Sequence, residues 1–261
     1  MIEIREPASA GSRQAPQGNI FCSHHVWTRD GNLFVAGARG NHIPGNKMTN
    51  WDHSYGTSAN QPPSVWYHYQ SSVLLPIDLT NPGTSTDWIL KTGGGWSMSP
   101  HFSVPAPGPA KHMHFARFAG ANNQGTPWTR LLPDLSEQRM HPNTVFLANG
   151  DILVLGGDKV YPTSSGNQVP YGDIIDGSNA AIRRRTPNAQ GRGYHSTAVL
   201  LPDGRVLYGG GEPPRQFDYE IYRPDYMSRV RPTITSYPTE IGYGGSFSVG
   251  YSFSDGLAYV E

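Results

Sequence analysis

The most chemically suggestive feature of the sequence is an adjacent tyrosine and histidine, Tyr194 and His195, in the segment RGYHSTAVLLPDGRVLYGGG at 192–211. Imidazole is a suitable ligand for Cu(II), and a phenolate oxygen can bind it as well. Neighbouring residues can both reach one metal ion at the point where a strand ends. On these two residues alone a structural role is the commoner interpretation, so the pair becomes informative only through the elements around it.

Two further kinds of candidate are a single cysteine and several histidines. Cys22 cannot form an internal disulfide, so it is either a buried apolar residue or a reactive thiol, and disulfide usage says nothing about the compartment. His112 and His114 would lie on one face of a strand, and His24 and His25 are further imidazoles. The chain has ten histidines, so such pairs arise by chance, and no spacing fixes a third ligand.

The elements that must position these residues are hairpins. An apolar run, a turn dipeptide, a second apolar run and a pair of glycines recur as TRDGNLFVAGA at 28–38, FLANGDILVLGG at 146–157 and LLPDGRVLYGGG at 200–211. The Asp-Gly and Asn-Gly dipeptides predict type I′ hairpin turns. A looser copy, SSVLLPIDLTNPGTSTDWILKTGGG at 71–95, keeps both apolar arms around a longer loop.

The spacing of the hairpins predicts an all-β fold. From Gly150 to Gly204 is 54 residues, close to the kelch period of about 50, which corresponds to one four-stranded propeller blade. Helical spacing of apolar residues with caps is not seen over any long stretch. The glycine pairs fit sharp backbone turns near a central channel, where a side chain would be in the way.

The pattern changes near the carboxyl end. The segment RPTITSYPTEIGYGGSFSVGYSFSDGLAYVE at 231–261 alternates apolar and polar residues between Tyr-Gly-Gly and Asp-Gly turns, which is typical of the first strands of a β-sandwich. We therefore predict kelch-like blades over residues 1–229 and the start of an immunoglobulin-like sandwich over 230–261, which is expected to be cut short.

The charge composition limits which classes of binding partner can be expected. Twenty basic residues balance twenty acidic residues in 261, so no long-range field favours nucleic acid or an anionic membrane. The basic cluster Arg183-Arg184-Arg185 is expected to be a solvated loop rather than a phosphate site. The start of the chain carries no apolar stretch of signal-peptide length, so no export signal is expected, and the compartment is left open.

Three segments in order carry a family resemblance: RGYHSTAVLLPDGRVLYGGG at 192–211, DYEIYRPDYM at 218–227 and RPTI at 231–234. They resemble the last kelch blade of the galactose oxidase and glyoxal oxidase family of copper-radical oxidases, leading into its carboxy-terminal immunoglobulin-like domain. The resemblance implies that Tyr194 is an axial copper ligand and His195 a second ligand. NIFCSHHVWTRDGNLFVAGA at 19–38 resembles the blade whose cysteine is joined covalently to a tyrosine ring, which places Cys22 in that role.

Two alignments give different roles to the candidate tyrosine partner of this cross-link. Tyr69, in WYHYQSSVLLP at 66–76, stands 47 residues after Cys22 and opens a hairpin, and Trp96 follows where the family has a stacking tryptophan. In an alternative alignment YQSSVLLP and ILKTGGG match a later blade, one or two blades between residues 40 and 65 are missing, and Tyr69 and Trp96 are ordinary core aromatics.

The resemblance implies an oxidase of primary alcohols or aldehydes, including carbohydrates, which uses copper and dioxygen and releases hydrogen peroxide. The family's remaining histidine ligand lies beyond the strand that ends in LAYVE, so the chain is expected to bind copper weakly and to turn over slowly. His24, His25, His112 and His114 are possible substitutes. About four or five blades are recognisable, and an open ring would favour self-association through strand edges. The alternative is a non-catalytic kelch-like binding scaffold.

Overall fold

The computed structural model describes residues 24–27, 33–36, 69–75, 87–95, 109–118, 129–160, 164–177, 183–187, 189–242 and 244–253. These residues form short β-strands joined by turns, with one short 3-10 helix at Asp225–Ser228. No helix among them is long and apolar enough to cross a membrane. The all-β fold class predicted from the sequence is confirmed.

The strands form five antiparallel sheets in which neighbouring strands follow one another along the chain. The first sheet contains β1 (His24–Trp27) and β2 (Leu33–Ala36). The second contains β3 (Ser71–Leu75), β4 (Asp87–Thr92), β5 (Met113–Phe118) and β6 (Thr129–Leu131). The third contains β7 (Asn143–Phe146), β8 (Ile152–Leu155), β9 (Asp173–Ile175) and β10 (Arg183–Arg185).

The last two sheets are smaller. The fourth contains β11 (Ser196–Leu200), β12 (Val206–Gly210) and β13 (Tyr219–Tyr222), and the fifth contains β14 (Thr233–Ser236) and β15 (Gly250–Ser252). The β14 strand is exposed along its whole length. The fifth sheet therefore contributes no buried side chain to the core described below.

Each of the four predicted hairpins is an antiparallel strand pair in a sheet of its own: β1 with β2, β3 with β4, β7 with β8, and β11 with β12. The predicted type I′ turn is wrong where the turn is described. The Gly150 amide donates to the Leu147 carbonyl at 3.0 Å, and the Leu147 amide donates to the Asp151 carbonyl at 2.8 Å. The loop therefore has three residues, and Gly150, with φ of 86°, forms a glycine bulge.

A second correction concerns the basic cluster. Arg183–Arg185 is not a loop but the strand β10, paired with β9. Arg184 donates to Asp151 at 2.5 Å and to Asp225 at 3.3 Å, and the Arg185 guanidinium lies over the Tyr171 ring at 4.1 Å. The Arg184 and Arg185 side chains are exposed, as the sequence predicted, so the loop is wrong and the solvent exposure is not.

The glycine pairs occupy the place that the sequence predicted, directly after the second strand of a hairpin. Gly156 and Gly157 have φ of 60° and 96°. A Cβ atom at Gly156 would overlap the Tyr208 hydroxyl and the Arg192 carbonyl, both from the next sheet. Only glycine permits this approach, so the pair is what lets neighbouring sheets come together here.

The first strands of successive sheets lie side by side. β1 contacts β3, β3 contacts β7, and β7 contacts β11. Hydrogen bonds join them: the Thr144 amide donates to Ser71 Oγ at 3.0 Å, and Asn143 Nδ2 donates to Ser196 Oγ at 2.8 Å. The first four sheets thus stack in chain order, with their first strands in contact.

Apolar side chains fill the space between consecutive sheets. One buried cluster lies between the second and third sheets and is formed by Leu90, Met113, Leu135, Ile152, Val154 and Ile175. Another lies between the third and fourth and is formed by Val145, Leu147, Leu153, Leu155, Ile174, Val206 and Tyr208. Burial of this kind stabilises the stack by about 25 cal/mol per Å² of apolar surface.

Candidate functional site

Four aromatic rings from three hairpins meet at the starts of β3, β7 and β11. The ring centroids of Tyr69 and His141 are 4.5 Å apart, and those of His141 and Tyr194 are 4.9 Å apart. Tyr194 and His195 are stacked with centroids 3.6 Å apart. The sequence-predicted residues Tyr69, Tyr194 and His195 are therefore brought into one group, which we call the ring cluster together with His141.

The backbone at the ring cluster is unusual. Among the residues that the structure describes, the non-glycine residues with positive φ are Tyr69 at 57°, His141 at 55° and His195 at 63°. This left-handed conformation costs a residue with a Cβ atom roughly 1–2 kcal/mol. Backbone strain of this kind concentrates at functional sites, and here each strained residue contributes a ring to the same cluster.

The three strained residues occupy equivalent positions in their hairpins. Each stands six positions before a leucine that ends or directly follows the first strand, namely Leu75, Leu147 and Leu201. The His141 amide also donates to the Tyr69 carbonyl at 3.0 Å, so adjacent hairpins are joined through these same positions. The repeated hairpin therefore presents one side chain per copy to a common place.

Both imidazoles of the ring cluster are bound by carboxylates. His141 Nδ1 lies 3.0 Å from Asp158 Oδ2, and His195 Nδ1 lies 2.6 Å from Glu212 Oε1. A carboxylate accepts, so Nδ1 carries a hydrogen in both rings, and in the neutral form of each ring Nε2 has the free lone pair. This is the arrangement in which metal-binding histidines are usually held.

Asp158 accepts hydrogen bonds from several groups of the site. Its side chain is fully buried and accepts from Tyr194 N at 2.9 Å and from Gln168 Nε2 at 3.1 Å, in addition to His141. A Cβ atom at Gly193 would overlap this carboxylate, which explains a glycine directly before Tyr194. One buried acid therefore positions both His141 and the backbone of Tyr194.

The donor types of the ring cluster fit copper. Imidazole nitrogen suits Cu(II), and phenolate oxygen is a compatible ligand. Within the described ranges no three His, Cys, Asp or Glu side chains converge in a way that could hold a metal ion. A metal bound by described residues of this cluster would therefore depend on its tyrosine oxygens as well as its imidazoles.

The other candidates from the sequence fall elsewhere or outside the described residues. Cys22 and Trp96 lie outside them, and His24 and His25 are described only as backbone of β1. The remaining pair, His112 and His114, lies at the β5 strand with ring centroids 6.3 Å apart.

The surroundings of the β5 histidines are cationic. His112 Nδ1 lies 3.3 Å from Asp134, and His114 is fully buried with Lys91 and Arg130 opposite it on the neighbouring strands. Burial, followed by the charge of Lys91, lowers the pKa of His114 to about 3. Positive neighbours disfavour a bound cation here, in contrast to the carboxylates of the ring cluster.

The sequence interpretation missed His141 and Asp158. When MHPNTVFLANG is aligned with YHSTAVLLPDG on their turns, His141 falls on His195. In the same alignment Asp158, after its glycine pair, falls on Glu212, after Gly210 and Gly211. The repeat itself was thus the pattern that could have identified both residues.

Comparison with curated proteins finds oxidases. The chain is 30% identical over 264 residues to aldehyde oxidase GLOX1 of Arabidopsis thaliana. The aligned region covers 86% of this chain and 40% of that relative. It is 28% identical over 144 residues to galactose oxidase of Gibberella zeae, which covers 44% of this chain and 21% of that protein. The chain therefore spans less than half the length of these relatives. No family model matches it.

A solved structure gives the same fold. A fungal alcohol oxidase of the AA5 family, determined in complex with copper, matches with a TM-score of 0.52 at 17% identity, over 85% of this chain and 57% of that one. At this identity the likeness concerns the fold alone. Together with the curated relatives, it confirms the predicted resemblance to the galactose oxidase and glyoxal oxidase family.

Proposed function

Because the chain resembles the galactose oxidase and glyoxal oxidase family and gathers tyrosine and imidazole side chains at one place, we propose that it takes part in copper-dependent oxidation. The reaction converts a primary alcohol and O2 into an aldehyde and H2O2. With a hydrated aldehyde as substrate, the products are a carboxylic acid and H2O2.

The fold that supports this chemistry, as we propose it, is a kelch-type β-propeller over residues 1–229 followed by an immunoglobulin-like domain that begins at 230. The proposal is supported by the four-stranded meanders of the second and third sheets and by the contacts of successive first strands. In a propeller the first strand of each blade lines the central channel. The ring cluster then lies at one end of that channel.

The observation that carries the proposal is the position of Tyr69. The sequence left open whether Tyr69 is a site tyrosine or a core aromatic. Its ring is buried in contact with His141, which in turn contacts Tyr194. Tyr69 and Tyr194, 125 positions apart in the sequence, therefore flank one imidazole, as a two-tyrosine site requires.

Each residue has a proposed role. Bound copper would supply one-electron redox chemistry toward dioxygen. Tyr194 and His195 would hold it, and Glu212 keeps the lone pair of His195 on Nε2. Tyr194, as phenolate, takes the proton of the alcohol hydroxyl. By resemblance, Tyr69 joined to Cys22 stores one electron of the oxidation.

The test is to add Cu(II) under air to the purified chain and to measure bound copper and H2O2 release with simple primary alcohols and aldehydes. We expect copper uptake that is lost in Tyr194→Phe and His195→Gln. Wild-type uptake that both variants retain would contradict the assigned site.

The second hypothesis, a kelch-like scaffold without a metal, predicts no copper uptake and no peroxide. The relatives named as oxidases do not favour it. A chain that folds normally and binds no copper would nevertheless support the scaffold hypothesis over the oxidase.

A further inference from the structure

A histidine and a carboxylate occur as a repeated pair in the third and fourth sheets. Asp158 stands 17 positions after His141, and Glu212 stands 17 positions after His195. Each acid directly follows a glycine pair, and each binds Nδ1 of the histidine in its own hairpin. Thus the unit that contains His195 is present twice.

The backbone geometry repeats as well. The Asp158 amide donates to the Met140 carbonyl at 2.7 Å, and the Glu212 amide donates to the Tyr194 carbonyl at 2.8 Å. His141 and His195, the residues after these acceptors, both have left-handed φ angles. The second hairpin copy, with Tyr69 and Gly95 at the matching positions, has a phenol in place of the imidazole and lacks the acid.

The location of His141 suits a metal ligand. Its ring lies between Tyr69 and Tyr194, at centroid distances of 4.5 and 4.9 Å. Two ring ligands side by side on one ion, with metal–donor distances of about 2 Å, have centroids separated by roughly 5 Å. The centroid distances are compatible with His141 and a tyrosine sharing an ion.

The hydrogen bonding of His141 also suits this role. The His141 side chain is 12% exposed and its Asp158 partner is fully buried, whereas the His195 side chain is 59% exposed. A buried carboxylate on Nδ1 orients the ring, fixes the lone pair on Nε2 and raises its basicity as a ligand. The His141 unit is thus more firmly held than the His195 unit that it duplicates.

We propose that His141 is a second copper-binding imidazole, acting through Nε2 beside His195, and that Asp158 positions it. The inference rests on the proposed copper site and extends it to a residue that neither the Tyr-His pair nor its neighbours in sequence indicated. It also supplies, from within the described residues, an imidazole that was sought among His24, His25, His112 and His114.

The experiment counts nitrogen ligands. Cu(II) is added to the wild-type chain and to His141→Gln, which keeps a side-chain amide able to donate to Asp158 but has no imidazole. Affinity is measured by competition with a chelator, and the nitrogen hyperfine structure by electron paramagnetic resonance after labelling histidine with ¹⁵N. We expect two histidine nitrogens in the wild type, one in His141→Gln, and copper affinity lower by at least about 10-fold.

The matched control is His112→Gln. His112 also has Nδ1 beside an aspartate, Asp134, but it lies at the β5 strand among cations. The His112→Gln variant should keep both copper-bound histidine nitrogens and the wild-type copper affinity. Asp158→Asn should keep two nitrogens while weakening copper binding about 10-fold, because the positioning partner is altered and the ligand remains.

The outcomes separate the two proposals. If the wild type binds copper and His141→Gln retains the same nitrogen count and affinity, the role of His141 is wrong while the copper site stands. If His112→Gln loses a nitrogen instead, the second imidazole is His112. If the folded wild type takes up no copper, both proposals fail. Circular dichroism and urea midpoints of each variant confirm that the fold is retained in the comparison.

Discussion

The guanidinium of Arg139 donates to Asp173 Oδ2 at 2.7 Å, and both side chains are buried away from solvent. Arg139 also donates to the Gly156 carbonyl at 3.0 Å, at the end of β8. The fourth sheet repeats the arrangement: Arg192 donates to the Gly210 carbonyl at 2.9 Å and to Asp218 at 3.1 Å. A buried arginine thus holds the end of the second strand in both sheets.

The two ion pairs should differ in their effect on stability. Asp173→Asn leaves a buried guanidinium without its charge partner, so we expect a loss of about 3 kcal/mol in the free energy of unfolding. Asp218→Asn is the matched variant. The Asp218 side chain is 59% exposed, and the buried Arg192 also has Glu220 Oε2 at 3.6 Å from its Nε, so Asp218→Asn should cost less than Asp173→Asn. Urea unfolding followed by tryptophan fluorescence measures both, and equal losses would contradict the role of burial.

The glycine after β8 gives a second stability test. Gly156→Ala requires both a left-handed alanine and displacement of the Tyr208 hydroxyl and the Arg192 carbonyl, so we expect a loss of at least about 3 kcal/mol. Gly166→Ala is the control, because Gly166 has φ of 83° and nothing within 4 Å of the added Cβ atom. It should cost about 1–2 kcal/mol. Similar losses of stability in both variants would show that contact with Tyr208 and Arg192 does not add to the cost of a Cβ atom at Gly156.

Glu212, the carboxylate that binds His195, should affect copper affinity. Glu212→Gln removes the charge that holds Nδ1 of His195, so we expect copper affinity to fall about 10-fold in chelator competition. Arg215 also contacts Glu212, at 3.3 Å, but its side chain is 78% exposed. Arg215→Gln should therefore change copper affinity by less than about 2-fold. A larger effect from Arg215→Gln than from Glu212→Gln would contradict this assignment.

Acid should destabilise the protein through His114. Burial holds the pKa of His114 near 3, well below the 6.5 of an exposed imidazole, so the unfolded state binds a proton that the folded state refuses. Stability is therefore lost as the pH falls from about 6.5 toward 3, by about 2 kcal/mol between pH 8 and pH 5.

His114→Gln is the variant that removes this proton. It should make the loss of stability between pH 8 and pH 5 smaller by about 2 kcal/mol than in the wild type, whatever its effect at pH 8. His112→Gln keeps His114 and should keep the wild-type slope. Urea midpoints at several pH values give the slopes, and parallel curves for wild type and His114→Gln would refute the prediction.

Local patterns predicted the hairpins well because strand pairing of near neighbours depends on alternation and turn residues within about ten positions. The type I′ turn was wrong because an Asn-Gly dipeptide fits more than one turn. What decides is the pairing partner of Leu147, which is Asp151. That choice depends on packing of the two strands against the neighbouring sheets, which the dipeptide does not encode.

The ring cluster was only partly predictable. Tyr194 and His195 are adjacent in sequence, so their types could be recognised together, whereas His141 follows a methionine and precedes a proline and looks isolated. Its partners Tyr69 and Tyr194 are more than 50 positions away in either direction. Only the stacking of successive sheets brings the three rings together. The division at 229 and 230 and the immunoglobulin-like continuation remain predictions.

The left-handed residues at the heads of three hairpins have a consequence for how such a centre can change. Tyr69, His141 and His195 are delivered to the cluster by backbone geometry that each hairpin repeats. Exchanging one of these side chains changes a donor atom but leaves the position of the side chain in the cluster unaltered. A phenol could become an imidazole, or the reverse, without rebuilding a sheet, so single substitutions in this architecture can alter the ligand set before they alter the fold.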